Sequence, residues 1–274
     1  MMKKTYAIIG NPVAHSLSPI LHNYWFKKYK IDANYSLLNI EENNLESVTQ
    51  KIRNKELNGI NITLPYKQKI IPFIDRLIND AQLTNSVNTI FLDDTNSLVG
   101  ENTDVFGLQA AYLKEIINAE KKSALVIGAG GVSPSVIFSL QKSKVKNISI
   151  VNRTHDKSSF LKQKFKFLDI LDWTSLKDEI KKFDIIINAT SLGLKNGNNF
   201  NQEFKVIKPN LIYYDIIYNP NETTMIKNFK KKQIQTYNGL EMFIYQGQKS
   251  FSLWNEITPE LDRNLKNIIE SKLK

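Results

Sequence analysis

The chain has 274 residues and a mass of 31.5 kDa, a length that favours two domains. Hydrophobic residues make up 42% and charged residues 23%, a globular composition, and the apolar runs are too short to cross a bilayer. The absence of cysteine excludes disulfides, thiolate metal sites and cysteine nucleophiles. No signal-peptide core develops before Gly10-Asn11-Pro12, so we expect a soluble, cytoplasmic protein.

The net charge of +10, from 37 basic and 27 acidic residues, makes nucleic-acid binding one hypothesis. Only four of the basic residues are arginine, whose planar fork suits bases and phosphates. The densest lysine run is Lys230-Lys231-Lys232. We therefore expect no nucleic-acid partner, and we interpret the charge as a diffuse field that attracts small anions.

The first part of the chain alternates between strand and helix patterns. In chain order, these patterns predict a strand at 5–9, a helix at 19–29 capped by Ser18, a strand at 34–38, a helix at 45–54, a strand at 59–63, a helix from Pro65 toward Ile78, and a hairpin of 87–92 with 97–100. Such alternation is typical of a mainly parallel sheet covered by helices.

The second part has the β-α-β rhythm of a dinucleotide-binding, Rossmann-like domain. Its patterns predict a helix at 106–117, a strand at 123–127, a helix ending near Gln141, and further strands at 147–151, 183–188 and 211–215. From Glu241 onward the pattern is helical. We predict a first domain over 1–104, a Rossmann-like domain over 105–240 and C-terminal helices over 241–274.

A glycine-rich loop, Gly128-Ala129-Gly130-Gly131, follows the predicted strand at 123–127 and opens a helix. This is the context that the dinucleotide fingerprint requires, since glycine allows a tight turn and a close approach of the pyrophosphate. The third fingerprint position is Ser133, an imperfect substitute for glycine. A plain strand-to-helix turn is the alternative interpretation.

The residues after the next predicted strand discriminate between NAD and NADP. An NAD enzyme needs an acidic residue about 20 residues beyond the loop. Here the strand ends in Asn152-Arg153-Thr154, with no carboxylate before Asp156. Arg153 can pair with a 2′-phosphate and Lys157 can add charge, which favours NADP over NAD.

Three polar segments outside that domain could carry chemistry. Ser16 and Ser18 precede a helix N-terminus and could bind a carboxylate, or Ser18 could only cap the helix. Asn61 and Thr63 lie on one face of the strand predicted at 59–63, and Lys67 would lie in the first turn of the next helix. Asp104 is either an active carboxylate or a helix N-cap, and spacing alone favours the cap.

These segments together resemble the shikimate dehydrogenase family over nearly the whole chain and in the family's order. The matching motifs are Ser16-Leu17-Ser18, Asn61 to Lys67, Asn88-Thr89, Gly100 to Asp104, Gly128 to Gly131, Asn152-Arg153-Thr154, Asn188-Ala189-Thr190, Tyr214-Asp215 with Tyr218-Asn219-Pro220, and Asn238-Gly239-Leu240 with Met242 and Gln246. The resemblance implies an α/β fold in which the C-terminal helices pack back on an N-terminal substrate domain. It also implies reversible, NADPH-dependent reduction of 3-dehydroshikimate to shikimate.

The resemblance assigns roles to individual residues. It implies that Lys67 and Asp104 form the catalytic pair. The implied substrate-binding residues are Ser16, Ser18, Thr63, Asn88, Asp104, Tyr218 and Gln246. The implied cofactor-binding residues are Gly128, Ala129, Gly130, Gly131, Val132, Asn152, Arg153, Thr154, Lys157, Ile216 and Gly239. We expect no metal, because the three histidines are dispersed and lack ligand spacing.

The chain also departs from the family pattern. Asn85-Ser86 stands where the family commonly has Gly-Ala, Leu194 and Ile216 replace frequent methionines, and Asn255 replaces a usual threonine. None of these changes removes a proposed catalytic group.

Two alternatives remain open at this point. An NAD-dependent quinate/shikimate dehydrogenase is opposed by Arg153, and a non-catalytic NADP-binding regulator is opposed by Lys67 and Asp104. For partners we expect a small-molecule substrate, no membrane, and a monomer or homodimer.

Overall fold

The structure is a computed structural model that describes residues 3–116, 118–194, 198, 200, 204 and 206–273. Within these residues the chain divides into two compact units, each of which contains a six-stranded sheet. One unit extends to Gly107 and resumes over Ile244–Lys272, and the other is Leu108–Phe243. In the described part of the chain, no helix is long and apolar enough to cross a membrane.

The sheet of the first unit is mainly parallel, as predicted. Its strands are β1 (Lys4–Gly10), β2 (Ala33–Asn39), β3 (Gly59–Ile62), β4 (Arg76–Leu77), β5 (Thr89–Leu92) and β6 (Leu98–Glu101), in the order β2-β1-β3-β5-β6-β4. β1 runs parallel to β2 and β3, and β4 runs parallel to β6. β5 is antiparallel to β3 and β6, and the β5–β6 pair is the predicted hairpin.

The sheet of the second unit is parallel throughout. Its strands are β7 (Ser123–Ile127), β8 (Asn147–Val151), β9 (Asp169–Leu171), β10 (Ile185–Asn188), β11 (Ile212–Asp215) and β12 (Gln235–Tyr237), in the order β12-β11-β10-β7-β8-β9. The central strands are continuous apolar runs because both faces of such a sheet are buried. The strand order reverses beside β7, the point at which doubly wound sheets bind ligands.

The helices cover both sheets, in agreement with the expected α/β class. They are α1 (Ser18–Lys28), α2 (Leu45–Arg53), α3 (Asn79–Thr84), α4 (Thr103–Ala111), α5 (Ser133–Lys142), α6 (His155–Lys164), α7 (Leu176–Glu179), α8 (Thr224–Lys231), α9 (Leu240–Asn255) and α10 (Arg263–Glu270). The predicted C-terminal helical pattern corresponds to α9 and α10, and their residues from Ile244 onward belong to the first unit.

Close backbone approaches fix α9 on the first sheet and on α1. A Cβ on Gly59 of β3 would lie 2.6 Å from Trp254 Nε1, and one on Gly247 would lie 2.4 Å from Leu21 Cδ2. A side chain on Gly59 would collide with the Trp254 ring, and one on Gly247 would require Leu21 to shift. The Trp254 ring also stacks on Tyr6 of β1, with 4.9 Å between the ring centroids.

Two predicted helices differ from the structure. The helix predicted from Pro65 toward Ile78 is wrong: turns lead to a short 3-10 helix at Ile71–Phe73 and then to β4. Pro72 explains the interruption, since proline lacks the N–H that an α-helix would need there. The helix predicted at 106–117 is α4, which begins at Thr103 and ends at Ala111, and Ile117 lies outside the described residues.

Candidate active site and nucleotide loop

Lys67 and Asp104 form a buried ion pair in the first unit. Lys67 Nζ lies 2.5 Å from Asp104 Oδ2, and the two side chains are only 10% and 6% exposed. By contrast, the Arg53–Asp75 pair is 34% and 42% exposed. Burying two charges costs free energy that their attraction only partly offsets, so a buried pair is weak evidence for a role in stability. It is a candidate for chemistry instead.

Lys67 lies in a turn that follows β3, and its predicted position in the first turn of a helix is wrong. The turn is attached to the neighbouring loop because Val87 N donates to the Lys67 carbonyl oxygen at 2.8 Å. The charge of Lys67 is therefore not opposed by a helix dipole. Its electrostatic partner is the carboxylate of Asp104.

Asp104 lies in the first turn of α4, and the N-cap that spacing alone favoured for it is wrong. The Asn102 side chain caps this helix, since its Oδ1 accepts from Asp104 N at 3.1 Å. The Asp104 carboxylate is thereby available for side-chain contacts. One oxygen faces Lys67, and the other accepts from Asn88 Nδ2 at 2.8 Å.

The orientation of the Asn88 amide is determined by its neighbours. Thr103 N donates to Asn88 Oδ1 at 2.8 Å, and a backbone N–H can only donate, so this atom must be the oxygen. Asn88 Nδ2 therefore faces Asp104, and it also donates to Gln246 Oε1 at 3.3 Å. Four predicted site residues, Lys67, Asn88, Asp104 and Gln246, thus form one connected group.

Ser16 and Ser18 lie at the start of α1. Ser16 Oγ donates to Ser18 Oγ at 3.1 Å and accepts from Ser18 N at 3.2 Å. The predicted cap by Ser18 is wrong: Leu17 occupies the N-cap position, without a side-chain cap bond, and Ser18 is the first helical residue. The two hydroxyls therefore accompany backbone N–H groups that lack intrahelical acceptors.

Thr63 follows β3 and lies against the end of β1. Its N donates to the Ile9 carbonyl at 2.9 Å. A Cβ on Gly10 would lie 2.5 Å from Thr63 Cγ2, so glycine makes room for this side chain.

The glycine loop joins β7 to α5 in the second unit. Gly128 has φ +106° and a Cβ there would lie 2.5 Å from Thr190 Cγ2, so glycine is required on two counts. Ser133 Oγ donates to the Gly128 carbonyl at 2.8 Å and accepts from Gly130 N at 2.9 Å. Ser133, which replaces the third glycine of the fingerprint, thus stabilises the loop through its hydroxyl group. Val132 is the N-cap of α5 and makes no side-chain cap bond.

The loop after β8 lies beside the glycine loop. Ala129 N donates to Asn152 Oδ1 at 3.2 Å, and Asn152 Nδ2 donates to the Thr154 carbonyl at 2.8 Å. Arg153 and Lys157 are exposed, the latter in the first turn of α6. The exposed Arg153 therefore directly follows, in the chain, the residue that contacts a loop whose backbone suits a pyrophosphate.

Ile216 and Gly239 lie against each other in the second unit. A Cβ on Gly239 would lie 2.0 Å from the Ile216 carbonyl oxygen, and Gly239 N donates to the Ile217 carbonyl at 3.0 Å. Tyr218 also belongs to this unit, where its ring stacks on Phe243 with 4.6 Å between centroids.

Asp215 ends β11 as a fully buried carboxylate. It accepts from Asn188 Nδ2 at 3.0 Å, Ile217 N at 3.1 Å and Thr223 Oγ1 at 2.8 Å. Burial raises the pKa of Asp215 to about 6, and these hydrogen bonds act in the opposite direction. The carboxylate links the end of β10 to two positions of the β11–α8 loop at the carboxyl edge of the sheet.

Comparisons with known proteins show the family to which the chain belongs. The model of the shikimate dehydrogenase substrate-binding domain matches residues 8–90, and that of shikimate/quinate 5-dehydrogenase matches residues 111–237. A shikimate dehydrogenase (NADP(+)) of Pelagibacter ubique is 45% identical, with 98% of this chain and all of that protein covered. The chain belongs to the shikimate dehydrogenase family.

Solved structures of the family share its fold. A shikimate dehydrogenase in complex with NADP+ is 34% identical, with a TM-score of 0.88 and coverage of 99% of this chain and 96% of that one. A shikimate 5-dehydrogenase from Listeria monocytogenes in complex with shikimate and NAD is 30% identical, with a TM-score of 0.86 and coverage of 97% and 96%. The recognition from motifs and the predicted fold class are confirmed.

The departures from the shikimate dehydrogenase pattern leave the Lys67–Asp104 group in place. Asn85 has φ +51°, a left-handed conformation in which asparagine is tolerated where the family commonly has glycine. Ser86 is fully buried. Among the described residues, no group of three or more His, Cys, Asp or Glu side chains is arranged to hold a metal ion.

Motif matching assigned no role to several buried polar residues around Asn88. Asn61, Thr89 and Thr103 all belong to matched motifs. The resemblance assigned catalytic or binding roles only to nearby residues of those motifs. Ser250 of α9 was missed altogether. The signal available was its position one turn after Gln246 on a helix face that is otherwise apolar.

Proposed function

We propose that this chain catalyses the reversible, NADPH-dependent reduction of 3-dehydroshikimate to shikimate. The observation that carries the proposal is the buried Lys67–Asp104 pair, connected through Asn88 to Gln246. The family relationship supplies the reaction, and the burial and hydrogen bonds of this group support its members as the residues that perform it.

Lys67 is the general acid in this proposal. NADPH, when bound, supplies the hydride that adds to the ketone carbon. The negative charge that develops on the ketone oxygen is stabilised by the Lys67 ammonium, which then transfers a proton to that oxygen. Such assistance typically contributes ~10²–10⁴-fold to the rate. In the oxidation direction, the amine accepts the hydroxyl proton.

Asp104 orients Lys67 and accepts a hydrogen bond from a substrate hydroxyl. Its two oxygens already accept from Lys67 Nζ and Asn88 Nδ2, which fixes the plane of the carboxylate. A preoriented carboxylate holds the amine toward one point, so little reorganisation is needed during proton transfer.

The remaining predicted residues of the first unit hold the substrate. We assign the substrate carboxylate to Ser16 and Ser18, whose hydroxyls lie 3.1 Å apart at a helix N-terminus. Thr63, Asn88 and Gln246 contact its hydroxyls, and we assign Tyr218 the same role from the second unit.

The second unit binds NADP. A glycine loop with φ +106° at Gly128, followed by α5, fits a pyrophosphate. Arg153 and Lys157 fit a 2′-phosphate by their charge and exposure. The other residues of the proposed cofactor site are Ala129, Gly130, Gly131, Val132, Asn152, Thr154, Ile216 and Gly239.

An assay of the purified protein with shikimate and NADP tests the function. We expect reduced coenzyme to accumulate, as measured by its absorbance, and to be consumed again on addition of 3-dehydroshikimate. Binding of NADP without turnover would contradict the proposal and favour a regulator. A preference for NADH over NADPH at equal concentration would contradict the cofactor assignment.

We also propose a cytoplasmic location and a monomeric or homodimeric state. Light scattering on the full chain distinguishes the two oligomeric states.

A further inference from the structure

Ser250 is a fully buried hydroxyl in the middle of α9. Its Oγ accepts from Asn61 Nδ2 at 3.0 Å and donates to the Gln246 carbonyl at 3.0 Å. It also lies 2.8 Å from Thr89 Oγ1 and 3.2 Å from Thr103 Oγ1. One side chain thus joins α9 to β3, β5 and the start of α4.

Ser250 lies between two residues of α9 that pack closely against the rest of the first unit. Gly247 lies against Leu21, and Trp254 lies against Gly59 while its Nε1 donates to the Ile90 carbonyl at 3.4 Å. Residues three and four apart share a helix face, so Gly247, Ser250 and Trp254 all face the unit's interior. Ser250 provides polar contacts between these two packed positions.

The partners of Ser250 are the residues that orient Asn88. Thr89 Oγ1 and Thr103 Oγ1 each lie 3.1 Å from Asn88 Oδ1, so the single proton of each hydroxyl can be donated to Asn88 Oδ1 or to Ser250 Oγ. Asn61 Nδ2 also donates to the Asn88 carbonyl oxygen at 3.0 Å. Asn88 in turn holds Asp104. The contacts therefore run from Ser250 to the carboxylate that faces Lys67, while Ser250 also bonds the backbone of Gln246.

We propose that Ser250 is a positioning residue for the reaction, an inference that rests on the proposed function. Its hydroxyl sets the helix that carries Gln246 against the Asn88–Asp104 pair. Ser250 itself makes no contact with Lys67 or Asp104 in the part of the chain that the structure describes. Its effect on turnover passes through Thr89, Thr103 and Asn88.

The test compares Ser250→Ala, Ser250→Thr and Ser250→Val in the full-length protein. Threonine and valine have nearly the same shape, so this pair isolates the hydroxyl. We expect Ser250→Ala and Ser250→Val to lower kcat for shikimate oxidation about tenfold, and Ser250→Thr to stay within about threefold of the wild type. The KM for NADP should be unchanged. Rates are expressed per folded site, counted by the change in tryptophan fluorescence on urea unfolding, to which the buried Trp25 and Trp254 of the first unit contribute.

Counting folded sites separates positioning from stability, because a purely structural residue would lower the melting temperature but leave kcat per folded site intact. If Ser250→Thr and Ser250→Val do not fold, Ser250→Ala and Thr89→Val still test the positioning role, since neither substitution adds volume. We expect their double variant to lose no more activity than the worse single variant, because both break the same connection.

Equal kcat for threonine and valine variants, an unchanged kcat in Ser250→Ala, or multiplicative losses in the double variant would each overturn the positioning role. These outcomes require an active wild type and leave the proposed function standing. A wild type without shikimate turnover would instead refute the proposed function, and the role of Ser250 with it.

Discussion

Lys67 Nζ and Asp104 Oδ2 meet 2.5 Å apart although 37 positions separate the residues in the chain. For Lys67→Ala we expect kcat to fall by ~10²–10⁴-fold, because the lost ammonium acts mainly on charge that develops in the transition state. Shikimate binding should weaken far less. Steady-state kinetics together with direct titration of shikimate separate the two effects.

The same substitution leaves Asp104 buried beside Asn88 without a cation. Breaking a buried pair in this way typically costs about 3–5 kcal/mol, so Lys67→Ala should also melt at a lower temperature. The double variant Lys67→Ala/Asp104→Asn is the control, since it removes the unpaired charge. We expect it to recover stability but not turnover. A single variant that lost only affinity for shikimate would show that Lys67 is a binding group.

For Arg153→Ala we expect a higher KM for NADPH with NADH use nearly unchanged. Arg153 is exposed beside the glycine loop, and an arginine–phosphate fork is lost only with the cofactor that carries a 2′-phosphate. Arg263→Ala is the matched control, because Arg263 is an exposed arginine of the first unit. Equal losses with both cofactors would indicate that Arg153 supports the fold instead.

The nucleotide-binding half of the molecule was predictable because its signals are local. The strand predicted at 123–127 has the same bounds as β7. A short, continuous apolar run followed by glycines is typical of a buried strand. The loop residues Gly128 and Arg153 follow from their distances along the chain to these strands. These positions can be predicted from the distances along the chain alone, without knowledge of tertiary contacts.

The proposed catalytic group was predictable only through the family resemblance. The pattern placed Lys67 on a helix that Pro72 interrupts, and it favoured Asp104 as a cap that Asn102 provides. The signal at Ser250, one polar residue a turn after Gln246 on an otherwise apolar helix face, is too weak to assign a role by itself. Contacts between residues more than 100 positions apart, such as Thr89 with Ser250, depend on how the sheet and helices pack, and periodicity does not report this.

Two glycines of the nucleotide loop should respond differently to alanine. Gly128→Ala introduces a side chain at φ +106° and 2.5 Å from Thr190 Cγ2, so we expect a clear loss of stability, by at least ~1–2 kcal/mol. In Gly130→Ala, the added Cβ meets only the Ala189 carbonyl oxygen, at 3.9 Å. Its stability should stay close to that of the wild type while the KM for NADP rises, because the Cβ occupies the space that a pyrophosphate approaches.

Urea unfolding and cofactor titration of both glycine variants check this contrast. A stable Gly128→Ala variant would show that the loop can relax around the new side chain. Unchanged NADP binding by Gly130→Ala would place the pyrophosphate elsewhere.

His22 should make the protein sensitive to acid. Its ring is fully buried and stacks on Tyr35 with 4.4 Å between centroids. Neither ring nitrogen has a hydrogen-bond partner among the described residues, and burial lowers the pKa of His22 to about 3. Below about pH 6.5, His22 is protonated in the unfolded chain but stays neutral in the native state. Stability should therefore fall as the pH falls, by about 1.4 kcal/mol per pH unit from this residue.

The variant His22→Phe keeps a ring against Tyr35 and removes the titration. Asp215 acts in the opposite direction, because its native pKa is raised to about 6. As the pH falls below about 6, the native state binds a proton that the unfolded chain does not yet bind, and this contribution increases stability. Since Asp215 is present in both proteins, its effect cancels in the difference between them. Urea unfolding at several pH values between about 6.5 and about 5 should show the wild type losing more stability than His22→Phe. Parallel pH dependences would mean that His22 is protonated in the native state, and that its surroundings supply a partner for the charge.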